Sequence, residues 1–138
     1  MIIDKELVFS DNGTIMNQDI SQTVGDYDSS KVIDQVKDGG PYMGSWLFVK
    51  ISEAVVGSGA SVEFALHTSN DGFGSDDDVI FTTGAVGVAS LTANTVIVRS
   101  PLPLGLKRDI KMVFSVSGAT TTAGTVFAAI VPDVNEGF

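Results

Sequence analysis

The chain contains no cysteine. That excludes disulfides, a thiol nucleophile and cysteine-based zinc sites, and it suits a reducing compartment. Histidine is nearly absent as well, with His67 alone among 138 residues. A general base needs a positioned partner. The chain also lacks a Gly-x-Ser-x-Gly elbow, a Walker loop and a dinucleotide-binding glycine fingerprint. No catalytic residue, no enzymatic activity and no cofactor are therefore expected. Basic residues are scarce, 8 against 17 acids, for a net charge of −9. Such a chain is repelled by phosphate backbones and by anionic membranes, so neither nucleic acid nor membrane is an expected partner. No stretch approaches the roughly 18 consecutive apolar residues of a membrane-spanning helix. The first residues show none of the basic start, apolar core and small-residue cleavage site of a secretion signal, so synthesis in a cytoplasm is expected. With only 4 prolines among 15 glycines, collagen-like and proline-rich readings fail too.

What is present is a hydrophobic share of 43% beside a charged share of only 18%, which argues for a packed globular chain and against disorder. The length fits a single domain over residues 1–138. The dominant pattern has period two. Trp46, Phe48 and Lys50 fall on one face of residues 46–51, with Leu47, Val49 and Ile51 on the other. Val62, Phe64 and Leu66 alternate with Glu63, Ala65 and His67. Ile110, Met112, Phe114 and Val116 alternate with Lys111, Val113 and Ser115. This is the signature of half-buried strands. Residues 79–83, 95–99 and 125–131 are shorter β-branched runs that read as strands by composition. Gly57-Ser58-Gly59, Asn70-Asp71-Gly72, Pro101-Leu102-Pro103 and Ser117-Gly118 supply turns between them. Residues 30–37 carry Val32, Ile33 and Val36 at helical spacing, but the segment is short and β-branched. Counting short runs at 7–9 and 32–33 gives about eight strands by these period-two criteria. The expectation is an all-β, jelly-roll-like two-sheet sandwich with an extended N-terminal segment. Residues 1–40 hold eight of the 17 acids and little alternation, and are expected to be partly arm-like or irregular.

Three local features invite a functional reading. The segment 70–78 places Asp71, Asp76, Asp77 and Asp78 within nine residues. Those oxygens could serve a hard cation such as Ca²⁺. The spacing is not that of an EF-hand, however, and a solvated turn explains the same residues. Arg99, Lys107, Arg108 and Lys111 hold half of the basic residues within 13 positions, with only Asp109 opposing them in sequence. They could form a basic patch for an acidic partner or ordinary surface charge. The third feature is an apolar excess, with a mean hydropathy of +0.27. Ile2, Ile3, Leu7, Val8 and Phe9 begin the chain, and Leu102, Leu104 and Leu106 lie in a turn-rich stretch. Apolar segments outside strands mark either protein contacts or cover for one end of the core.

The same stretches carry a resemblance. Met1-Ile2-Ile3-Asp4-Lys5-Glu6-Leu7-Val8-Phe9-Ser10-Asp11 resembles the N-terminus of the capsid cement (decoration) proteins of short-tailed bacteriophages. The resemblance continues through Val32-Ile33-Asp34, through the strand and turn from Val62 to Asp71, and through Leu102-Pro103-Leu104-Gly105-Leu106-Lys107-Arg108. It closes with Thr122-Ala123-Gly124-Thr125-Val126 and Val131-Pro132-Asp133-Val134. Asp109 departs from the aromatic residue expected after Arg108, and Gly25-Asp26-Tyr27-Asp28 is more acidic than the pattern.

The resemblance implies a non-enzymatic jelly-roll subunit on the exterior of the virion capsid. It would bind the outer surface of the assembled shell and bridge major capsid protein subunits, as a symmetric dimer or trimer. Ile2, Ile3, Leu7, Phe9, Arg99, Leu102, Leu104, Lys107, Arg108 and Lys111 are the interface candidates. The other reading is a ligand-binding jelly roll, such as a Ca²⁺-dependent carbohydrate-binding module that uses Asp71, Asp76, Asp77 and Asp78.

Overall fold

The structure is a computed structural model and describes residues 7–10, 18–34 and 45–131. Among the described residues nine strands follow in chain order: β1 (Gln18–Asp19), β2 (Gly25–Asp28), β3 (Ile33–Asp34), β4 (Trp46–Val56), β5 (Ser61–Ser69), β6 (Asp78–Gly87), β7 (Val96–Pro101), β8 (Asp109–Ser117) and β9 (Ala123–Val131). A 3-10 turn, Val88–Ser90, precedes β7. The six runs with β periodicity or composition all lie within or across a strand. The segment 30–37 contains no helix among its described residues; Ile33 and Asp34 pair with the start of β8 instead.

Every pairing is antiparallel. One sheet runs β1-β9-β4-β7; the other runs β2-β8-β5-β6, with β3 sharing the β2 edge of β8. The pairs nest: β1 with β9, β2 with β8, β4 with β7 and β5 with β6. A long hairpin folded over on itself in this way is a jelly roll.

The alternation in sequence explains how the layers close. Leu47, Val49 and Ile51 of β4 point inward with Val126, Ala128 and Ile130 of β9. They meet Val62, Phe64 and Leu66 of β5 and Ile110, Met112 and Phe114 of β8 from the facing sheet. Phe64 and Phe114 are register partners, and their rings pack edge to face at 5.8 Å, the favoured aromatic geometry. Phe48, Phe127, Ala129 and Val131 form a second, smaller buried cluster with Val8, on the other side of the four-stranded sheet. Sequence alternation had placed Phe48 away from Leu47 and Val49; it is nonetheless buried.

The described residues of the N-terminal third pack into the sandwich. Leu7, Phe9 and Ile20 belong to the main core. Val8 bridges Ala129, the Phe9 N–H donates to the Ala128 carbonyl at 2.8 Å, and the Ser10 hydroxyl accepts from the Ala128 N–H at 3.1 Å. Residues 7–10 thus continue the line of β1 along the same edge of β9. Their apolar residues are not a strand of their own, as the run at 7–9 had suggested, but a plug.

The two ends of the sandwich differ. At one, the turn after β4, the 3-10 turn and the β8–β9 connection are joined by backbone bonds, including Val88 to Ala60, Thr121 to Gln22 and Thr122 to Val56. At the other lie the β5–β6 turn and the β7–β8 connection. That second end gathers the charged residues singled out in sequence.

Candidate functional site

The β5–β6 turn is built around one carboxylate. Asp71 accepts from the hydroxyls of Ser69 (2.9 Å) and Ser75 (2.7 Å), and from the backbone N–H groups of Gly74 (3.1 Å), Ser75 (2.9 Å) and Asp76 (3.2 Å). A short acidic side chain that bonds to nearby backbone is what such a turn requires. These donors hold the Asp71 carboxyl well below the usual carboxylate range, with the Ser75 hydroxyl contributing most. The Ser69 hydroxyl also accepts from the Phe73 N–H at 3.0 Å, which helps fix Phe73 at φ 66°. Phe73 thereby lies beneath the Lys111 ammonium, 4.3 Å from the ring centroid, within cation–π range.

The other aspartates face different partners. Lys107 Nζ contacts both oxygens of Asp76 at 2.8 and 2.9 Å and Asp78 Oδ2 at 2.6 Å. Asp76 Oδ2 also accepts from the Asn70 N–H at 2.9 Å. The Lys107 bond, with Asn70 behind it, lowers the Asp76 pKa. Lys107 is raised in turn, chiefly by Asp76 and then Asp78. Asp77 Oδ1 lies 2.6 Å from Nδ1 of His67. His67 faces away from Val62, Phe64 and Leu66, as its alternation predicts. Asp71 is turned onto its own loop, Asp77 onto His67, and Asp76 and Asp78 onto Lys107, so the four carboxylates do not form one cation cage. Among the described residues no group of three or more His, Asp or Glu is arranged to hold a metal ion.

The basic residues divide in the same way. Arg108 makes a two-pronged contact with Asp34, Nε and Nη2 each at 2.9 Å from a separate oxygen. This fork geometry raises the Arg108 pKa, with Asp34 the main cause. Lys111 Nζ lies 3.1 Å from Asp28, its side chain only 9% exposed and stretched along the sheet. Arg99 is exposed on β7 opposite Phe48, on the outer side of the four-stranded sheet, away from Lys111 on the facing one. The run that looked like one patch therefore spans two sheets and one end. Its Lys107, Arg108 and Lys111 pair with acids 31, 74 and 83 residues away in sequence.

Two residues that sequence did not assign to a site tie these parts together. Asp109, buried at the head of β8, accepts from the Gly72 N–H through Oδ2 at 2.9 Å. Thr68, also buried, donates to the Asp109 carbonyl at 3.0 Å and accepts from the Lys107 N–H at 2.7 Å. Thr68 continues the inward phase of Val62, Phe64 and Leu66; a hydroxyl on that phase was the available signal. The partners Asp28, Asp34 and Phe73 left no such local trace.

The apolar candidates separate into plugs and one projection. Leu7, Phe9 and Leu102 are core residues. Leu106 is buried beside them, whereas Leu104 is 78% exposed. Gly105, at φ 86°, turns the chain between Leu104 and Leu106, a conformation that favours glycine. Ile2 and Ile3 lie outside the described residues.

A family model described as Bbp16 matches residues 9–130, nearly the whole chain. The chain belongs to the Bbp16 family, which is associated with bacteriophages. No curated protein matches it.

Proposed function

We propose that this Bbp16-family chain is a structural component of the phage head, a cement protein. It binds the outer surface of the assembled capsid and stabilises it by bridging major capsid protein subunits. The observation that carries the reading is membership of a phage-associated family over residues 9–130, in a chain whose ordered motifs resemble capsid cement proteins. The geometry agrees in character. His67 and the four loop aspartates fasten the turn to the sandwich, which suits a rigid binding body better than a reaction centre.

The mechanism is linkage. A protein that binds the assembled shell but not its dissociated subunits stabilises the shell by its binding free energy. Repetition over many sites on a symmetric particle turns modest contacts into substantial ones. As a symmetric dimer or trimer, the protein would match local symmetry axes of the shell.

Co-sedimentation with the cognate expanded capsid, at low and at high salt, tests the reading. Saturable binding at a fixed ratio to the major capsid protein, and shells that resist heat better when decorated, are expected. Absence of binding to both precursor and expanded shells refutes the cement role.

A further inference from the structure

We infer that the end of the sandwich bearing the β5–β6 turn and the β7–β8 connection is the capsid-facing surface, with Leu104 as its apolar knob inserting into an apolar socket rimmed by basic residues on the shell. This inference rests on the cement reading and specifies its contact.

Leu104 is held out. Leu102 and Leu106 on either side are buried, at 6% and 2% exposure. The Leu102 N–H donates to the Ser45 carbonyl at 2.9 Å, and the Lys107 N–H to Thr68 Oγ1 at 2.7 Å. Lys107 then locks the connection to Asp76 and Asp78 of the neighbouring turn. Pro101 and Pro103 restrict the backbone on the approach. The leucine therefore projects from a loop fixed on both sides, so its side chain enters a partner with little ordering cost. A second exposed aliphatic residue, Val79 at 57% exposure, follows Asp78 at the start of β6.

Charge identifies the occupant. Asp28, Asp34, Asp71, Asp76, Asp77, Asp78 and Asp109 stand in or against these two loops, with Lys107, Arg108 and Lys111. Counting Lys31, which lies between Asp28 and Asp34, seven acids less four bases leave −3 among the described residues, with His67 neutral. Lys107, Arg108 and Lys111 are already turned toward those acids. A partner approaching Leu104 meets net negative charge, and the complementary rim is basic. The run of lysine and arginine, which in sequence reads as a patch for an acidic partner or as ordinary surface charge, has Lys107, Arg108 and Lys111 paired with acids.

The test compares capsid co-sedimentation of the wild type with Leu104→Glu, Leu104→Lys and Leu104→Met, with thermal melts run alongside. Because the side chain is exposed, all four proteins should melt together. Leu104→Met should bind nearly as well as wild type. Leu104→Glu should lose about tenfold or more in affinity, the order expected for an unburied leucine. Leu104→Lys should lose more than Leu104→Glu, since it adds positive charge against a basic rim. Wild-type affinity in both charged variants, or a weaker Leu104→Glu than Leu104→Lys, overturns the inference and leaves the cement role standing. Failure of the wild type to bind overturns both.

Discussion

Replacing Phe9 by alanine separates a plug from an arm. Phe9 is fully buried in the main core, and its backbone carbonyl accepts from the Lys31 N–H at 3.0 Å while its N–H is held by Ala128. Truncation of a phenylalanine in such a site costs about 3–5 kcal/mol, from lost transfer energy and the cavity left behind. That is a large part of the roughly 5–15 kcal/mol that holds a domain together. In urea, with a slope of about 1.5–2 kcal/mol/M, the midpoint should fall by about 2 M. The melting temperature should fall by about 10–20 °C for a domain of this size. Urea titration followed by fluorescence of Trp46, the single tryptophan, reads the change directly. Phe9→Leu should recover most of the loss, because it refills most of the volume. An alanine variant within about 0.5 kcal/mol of wild type, the range of surface substitutions, would show that residues 7–10 detach freely and would refute the placement of Phe9 in the core.

Other outcomes follow from the same geometry. Gly124→Ala should destabilise by about 1–3 kcal/mol, because φ is 136° and a new Cβ would stand 3.0 Å from Val55 Cα; urea unfolding measures it. Ser10→Ala should cost about 1–3 kcal/mol by leaving the Ala128 N–H without its acceptor; a neutral result would mean another acceptor serves that group. Asp71→Ala should melt below wild type at neutral pH. The folded Asp71 pKa is depressed, so its stabilisation is full above the unfolded value of about 3.9 and fades as pH falls through the lower folded value. The gap between the two proteins should therefore shrink in strong acid, and melts at neutral and acid pH check it. Millimolar Ca²⁺ should leave the melting temperature where chelator leaves it, since Asp71 and Asp77 face separate internal donors and Asp76 and Asp78 are already occupied by Lys107; a clear rise would revive the cation-binding reading.

Much of the fold is legible in the sequence. Alternation at 61–68 and 110–116 fell inside β5 and β8, because the pleat of a strand is a local property that writes itself at period two. β1, β2 and the plug at 7–10 were not legible as such. They are two, four and four residues long, too short for periodicity to register, and they are held by β8 and β9, about 90 to 120 residues downstream. The candidate site was legible in its parts but not in its relations. An acidic loop and a basic run were both visible, yet each was read as facing outward. Sequence could not show that Lys107 meets Asp76 and Asp78, or that Arg108 meets Asp34.

By itself, then, sequence determined the class of the molecule: an acidic, cysteine-free β-sandwich with one histidine, and motifs placed along it in a phage-like order. Those properties depend on composition and on neighbours a few residues apart. The tertiary structure alone decided which strands are partners, that Phe9 and Leu102 are core while Leu104 projects, and that the charged end is net negative among its described residues. These depend on which loops share an end of the sandwich. The nested antiparallel pairing sets that, bringing the β5–β6 turn beside the β7–β8 connection.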